Sequence, residues 1–124
     1  MRGGAAGLVL LALSGAAAAQ SGGAALFETC RACHALEREA PEGAGPNLAG
    51  LLGRKVAGDP AFDYSPALKA AGAAGLTWDA ERLARFLADP EAMFPGLWMG
   101  GRGLDDARDR RALVEWIARN GGGA

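Results

Sequence analysis

Within five consecutive positions the chain places two cysteines and its single histidine, Cys30-Arg31-Ala32-Cys33-His34. A C-x-x-C pair followed at once by histidine is the attachment signature of c-type haem, and each part has a chemical task. The thiols, about one helical turn apart, reach the two vinyl groups of one porphyrin edge and form thioethers. The adjacent imidazole then lies under the iron as an axial ligand. A chain carrying these residues has to fold around a large flat group. The expectation is therefore one haem c, covalent through Cys30 and Cys33, with His34 on its iron.

Other uses of two cysteines fit less well. A disulfide suits an oxidising compartment, but Cys30 and Cys33 would close a very small loop and add little stability. A thioredoxin-like dithiol wants a βαβ setting, and the chain has no alternating strand pattern. Zinc would find two cysteines and one histidine, one protein ligand short of a tetrahedral site.

The opening residues limit where the chain works. Met1-Arg2, the apolar run Leu8 to Leu13 and the small residues Ala16 to Ala19 have the parts of a cleavable secretory signal. Residues 1–19 are read as signal peptide, cleaved near Ala19-Gln20, and 20–124 as one exported domain. The apolar run is shorter than the roughly 18 residues of a membrane span, so stable insertion is not expected. Lys and Arg number 13 against 14 Asp and Glu, a net charge of −1, and losing Arg2 makes the mature chain slightly more acidic. With no basic run and no basic–aromatic interleaving, nucleic acid is not an expected partner.

The rest reads as helices and packed loops. Leu26, Cys30 and Cys33 share one face of a helix that opens at Gly22-Gly23 and runs to Cys33. Residues 35–45 form a charged loop and Asn47 to Pro60 a compact Gly-rich one with at most a helical turn. Ser65-Pro66 starts a short helix that stops at Gly72. Thr77 caps the next, with Asp79 and Glu81 in its first turn, Leu83, Phe86 and Leu87 facing inward and an end near residue 88. Residues 90–103, rich in proline and glycine, are expected to be irregular. A last helix runs from about Asp105 to Arg119 on Leu113, Trp116 and Ile117, with Arg108, Arg110 and Arg111 on its polar side and a frayed tail from Gly121 to Ala124.

A haem with one histidine leaves its other axial position to a methionine, an exchangeable small ligand or nothing. Met93 stands near a helical turn beside Phe94 and suits core filling. Met99 lies in the irregular loop after Pro95-Gly96, where backbone can aim a thioether at iron, and is the favoured ligand. A soft thioether paired with imidazole raises the reduction potential and excludes oxygen and peroxide, which suits passing one electron rather than transforming a substrate. The chain is accordingly not expected to be an enzyme.

In order along the chain, CRACH, GPNLAGLLGRKVAG (45–58), FDYSPALK (62–69), GLTW (75–78) and FPGLWM (94–99) resemble the class I cytochrome c family, close to the mitochondrial cytochrome c and bacterial cytochrome c2 branch. The resemblance covers nearly all of the mature chain. It implies an all-α cytochrome c fold, with N- and C-terminal helices packed across each other and shorter helices and loops enclosing one haem. It implies Cys30 and Cys33 as thioethers and His34 and Met99 as axial ligands. Pro46 would accept the imidazole N–H through its carbonyl, and Arg54, Tyr64 and Trp78 would hold a buried propionate. Trp116 would pack against Gly22 and its neighbours.

Departures from the family are concentrated around Met99. Leu97 stands for a threonine, Trp98 for a lysine, Gly100-Gly101 for an apolar–aromatic pair and Leu68 for an asparagine, which predicts a looser loop and a more exposed haem. The family's lysine ring is also missing. The expected function is a periplasmic one-electron carrier between respiratory or photosynthetic redox proteins, a monomer or an oxidoreductase subunit. The alternatives are an electron-accepting subunit of a periplasmic dehydrogenase and a ligand-binding or peroxidase-like haem protein.

Overall fold

The computed structural model describes residues 3–4, 7–10 and 14–121, with 14–21 in backbone only. Five helices account for its regular structure: α1 (Ser14–Cys30), α2 (Pro66–Ala73), α3 (Ala80–Ala88), α4 (Pro90–Met93) and α5 (Ala107–Asn120). Among the described residues no strand forms, and the one β-bridge pairs Lys55 with Thr77. The all-α expectation holds. Part of the expected signal, residues 1–2, 5–6 and 11–13, and the tail beyond Gly121 lie outside the described residues. The expected cleavage point, Ala19-Gln20, falls within α1. Leu8, Val9 and Leu10 are more than four-fifths exposed and add nothing to the core. None of the described helices is long and apolar enough to cross a membrane.

The N- and C-terminal helices, α1 and α5, make the largest helix–helix contact, followed by α3 with α5. Their crossing is tight at one point. A Cβ on Gly23 would overlap Cβ of Trp116 and stand 2.7 Å from the Ala112 carbonyl oxygen, whereas one on Gly22 would meet nothing within 4 Å. The close approach thus falls on Gly23, a neighbour of Gly22 in the stretch that the resemblance sets against Trp116. Four residues on, Phe27 is fully buried with its ring 4.9 Å from that of Trp116. Leu113, Val114 and Ile117 continue the α5 face into the core, while Trp116 is only half-buried.

Several element ends differ from the expectation, each for a local reason. α1 starts at Ser14, ahead of Gly22, and ends at Cys30, so Cys33 sits on a following turn where the Cys33 and His34 N–H groups both donate to the Cys30 carbonyl (3.0 and 2.9 Å). α2 passes through Gly72, which is buried, and ends one residue later. Thr77 does not cap α3. It is drawn into the bridge with Lys55, and Asp79 caps instead, its carboxylate accepting from the Arg82 N–H at 2.6 Å. Asp89 does the same for Ala92 (3.1 Å), and with Pro90 preset for a first helical turn this closes the short α4 where an irregular chain was expected. α5, expected from about Asp105, starts at Ala107 because Asp106 caps it, accepting from Arg108 at 2.7 Å.

Gly22→Ala and Gly23→Ala separate helix propensity from contact. Gly22→Ala should raise stability by about 0.5–1 kcal/mol, the usual gain over glycine in a helix. Gly23→Ala should lower it by about 1–3 kcal/mol through overpacking against Trp116. Urea unfolding of the protein as isolated reads both, and equal shifts would contradict this reading of the crossing.

Candidate functional site

The turn that ends α1 presents Cys30, Cys33 and His34 to a cavity of about 310 Å³. No disulfide joins the two cysteines. Cys30 is half-buried and Cys33 exposed. Burial, and then the neighbouring Cys33, push the Cys30 thiol above its ordinary value, so it is a protonated thiol at neutral pH. Arg31, between them, turns away. It pairs with Glu28 (3.1 Å) and Glu37 (3.5 Å), and its guanidinium lies over the rings of Phe27 and Trp116.

A second segment clamps His34. The Gly45 N–H donates to the Cys33 carbonyl (2.9 Å) and the Leu48 N–H to the Ala35 carbonyl (2.8 Å), stitching residues 45–48 onto the cysteine turn. Between these ties the His34 Nδ1 lies 2.7 Å from the Pro46 carbonyl oxygen. A carbonyl only accepts, so Nδ1 carries the proton and Nε2 keeps the lone pair that a metal would use. Gly45 is where the imidazole needs room: a Cβ there would overlap the ring, with Nδ1 at 2.7 Å. Asn47, buried, holds the segment in shape. Its Nδ2 donates to the Glu37 carbonyl (2.8 Å) and its Oδ1 accepts from the Ala49 N–H (2.8 Å).

Arg54, Tyr64 and Trp78 all line the same cavity. Arg54 and Trp78 are tied through the main chain, the Trp78 N–H donating to the Arg54 carbonyl (2.8 Å) and the Gly53 N–H to the Trp78 carbonyl (2.6 Å). The Arg54 guanidinium gives its two terminal nitrogens to the carbonyls of Asn47 (3.0 Å) and Ala49 (3.3 Å), while its Nε is buried with no partner in the protein. The Tyr64 hydroxyl accepts from the Asp59 N–H (3.2 Å), leaving its proton to give. Burial raises its pKa above the ordinary value, against the opposing pull of the Asp59 N–H. Sequence reasoning missed Ser65, assigning it only to the start of α2. It occupies the cap position without capping; its hydroxyl is buried and unpartnered, and the residue lines the cavity. A serine beside a proline signals a helix start, and only the tertiary structure shows the hydroxyl turned inward. Asn47 and Gly45 were likewise quoted without a role.

The floor is apolar, with Leu83, Phe86, Leu113 and Ile117 buried along it. The loop after α4 brings Leu97, Trp98, Met99 and Gly100 to the lining. Met93 is absent from that lining and packs against the core cluster. The methionine in the loop therefore reaches the cavity and the one on the helix does not. Trp98 and Met99 are 62% and 38% exposed. α5 pins the far end of the loop, the Arg110 guanidinium donating to the carbonyls of Leu104 and Asp105 (2.9 Å to the latter).

The residues fit the haem that the sequence implies. Two thiols and an imidazole lone pair stand at one rim, and an apolar lining surrounds the space. Two buried donors, Arg54 Nε and Ser65 Oγ, lack partners, a combination that an apolar ring carrying carboxylates would satisfy.

Among proteins already characterised, the chain is 38% identical to cytochrome c2 of Agrobacterium tumefaciens over 77% of its length and 86% of the relative. It is 40% identical to cytochrome c2 iso-2 of Magnetospirillum molischianum over 73% and 90%. The solved structure of cytochrome cH from Methylobacterium extorquens superposes with a TM-score of 0.69 at 33% identity, covering 81% of this chain and 97% of that one. No family model matches.

A second, surface cavity adjoins Arg54 and is lined by Glu42 and Asp59. Burial, then a hydrogen bond with Asp59, hold the Glu42 carboxyl above its ordinary value. Folding therefore favours its protonated form, and the stability this contributes is present below the ordinary carboxylate pKa and lost as pH rises through the raised value. Glu42→Gln, which keeps an acceptor for the Asn47 N–H, should gain on the parent as pH rises from 4 to 7. The margin should stay under about 1 kcal/mol because the site is solvent-screened. Urea midpoints across that pH range would show it, and a constant difference would refute it.

Proposed function

The chain belongs to the class I c-type cytochromes, on the cytochrome c2 branch, and from that premise we propose that it is a periplasmic one-electron carrier with one covalent haem c. The observation that carries the reading is that Cys30, Cys33, His34 and Met99 line one apolar cavity together with Arg54 and Ser65, two residues that carry buried donors without partners. A haem held there supplies a one-electron Fe(III)/Fe(II) couple.

The chain's own groups divide the work. Cys30 and Cys33 are the thioether positions. His34 would hold the iron through Nε2, its tautomer and ring plane set by Pro46. Met99 would supply the other protein ligand, a soft sulfur that would favour the reduced state and so raise the potential. Arg54, Tyr64, Trp78 and, in addition, Ser65 form the propionate end, where the Arg54 Nε and the Ser65 hydroxyl gain the acceptors they lack. Leu83, Phe86, Leu113 and Ile117 exclude water, which strengthens these polar contacts and limits reorganisation when charge changes. With His34 and Met99 both holding the metal, small oxidants would be kept from it. That supports a carrier rather than an enzyme. Residues 1–19 serve as the export signal, and the partners are redox proteins that donate to and accept from the carrier.

A second reading draws on one observation. The two glycines that follow Met99, Gly100 and Gly101, have nothing within 4 Å of where a Cβ would stand. A methionine so placed can yield its position to a small ligand, and carbon monoxide binding by the reduced protein at neutral pH would mark that behaviour.

Met99→Ala tests the ligand assignment. The variant should keep covalent haem, lose the thioether-to-iron charge-transfer band of the oxidised protein, and fall in potential by more than about 60 mV, a tenfold shift in a one-electron equilibrium. An unchanged oxidised spectrum and potential would assign the position to another group.

A further inference from the structure

The rim of the cavity differs from its interior in having no charge at all. Of the residues that line the cavity and are not themselves assigned to the haem, Ala44, Trp98 and Gly100 are exposed, and none carries a charge. Arg54, the charged residue of the lining, is tied to the carbonyls of Asn47 and Ala49. The segment from Pro95 to Gly101 is likewise uncharged. Beyond it the exposed charges are of mixed sign, Glu91, Arg102, Asp105 and Asp106, and Glu91 accepts the Gly96 N–H at 2.9 Å. No single-sign field surrounds the mouth, so long-range steering has little to act on.

On this neutral rim stands an indole that is 62% exposed. Outside residues 8–10, Trp98 and Met99 are the exposed large hydrophobic side chains of the described residues. Tryptophan offers large contact area for few rotatable bonds, and it is enriched among side chains that dominate binding energy. The same residue also lines the cavity, so a partner seated on Trp98 is brought to the mouth of the cavity proposed to hold the haem.

We propose that this rim, centred on Trp98, is a docking surface for a redox protein that frames its own cofactor edge with an uncharged, apolar patch, the indole being the main contact. The inference rests on the haem reading given above. The absence of charge on the rim selects the partner's chemistry: an acidic or basic patch would lose hydration against this surface and gain no opposite charge. Encounter then proceeds at the ordinary unsteered rate and depends weakly on salt.

A half-oxidised sample of the haem-loaded protein contains a suitable probe. Each ferric copy presents to a ferrous copy a haem edge framed by an uncharged apolar rim, and nuclear magnetic resonance reads electron self-exchange between them. For the parent, the rate should change less than about twofold between about 10 and 200 mM salt. Trp98→Ala should lower it roughly tenfold, Trp98→Phe should retain most of it, and Trp98→Lys should lower it and make it rise with salt. Rates are compared after correction for the fraction of each variant carrying haem. A steep salt dependence in the parent, or an unaltered rate in Trp98→Ala, would overturn the proposal. So would a stable dimer in sedimentation that Trp98→Ala dissolves, or Trp98-dependent binding to phosphatidylcholine vesicles, which would give the rim to a second copy or to lipid. Failure of the parent to carry covalent haem would instead overturn the function itself.

Discussion

The hydrogen bond from His34 Nδ1–H to the Pro46 carbonyl is the constraint on which the rest of the site depends. It fixes which nitrogen is protonated and therefore which one can meet a metal. It does so only because two main-chain ties bring residues 45–48 onto the cysteine turn, and because Gly45 presents no Cβ where the imidazole lies. Three levels of structure thus converge on one nitrogen lone pair. The loop is held by Asn47, the turn by the end of α1, and α1 by its crossing with α5 at Gly23.

A second constraint is electrostatic. The cavity is apolar along its floor, yet at its other end the protein leaves donors on Arg54 and Ser65 without partners. Each buried, unpaired donor costs about 1–3 kcal/mol, so such a pair is a standing penalty unless a ligand brings acceptors. The chain supports Arg54 from behind through two carbonyls and locks its backbone to Trp78, so the position of the guanidinium does not depend on the ligand for order. A group that fills the cavity therefore meets a preorganised polar end and an apolar body, which is what small reorganisation on electron transfer requires.

How much of this was legible in the residues follows from how local each signal was. CRACH is a contiguous chemical motif, and its thiols and imidazole appear together at the cavity as expected. That Met99 rather than Met93 would reach the cavity was also readable, because Pro95-Gly96 ends the helical context of one and not the other. The aromatic and aliphatic stripes of α3 and α5 followed from helical spacing, apart from Val114, which is buried beside them. What escaped depends on tertiary contact. Ser65 sits at a cap position with its hydroxyl buried and unpartnered, Thr77 surrenders the cap of α3 to a bridge with Lys55, and within the Gly22-Gly23 pair it is Gly23 that lies against Trp116. Local propensity describes what a segment prefers alone, and these three residues answer to neighbours far away in the chain.

The most direct test of the central claim, that this cavity seats one covalently bound haem, is the intact mass of the protein after export to a periplasm together with the haem maturation machinery, measured under denaturing conditions. The account predicts a chain beginning at Gln20 and heavier by one haem, with the added mass lost when Cys30 and Cys33 are both replaced by alanine. A mass equal to that of the bare polypeptide, or lower by two hydrogens for a Cys30–Cys33 disulfide, would contradict it.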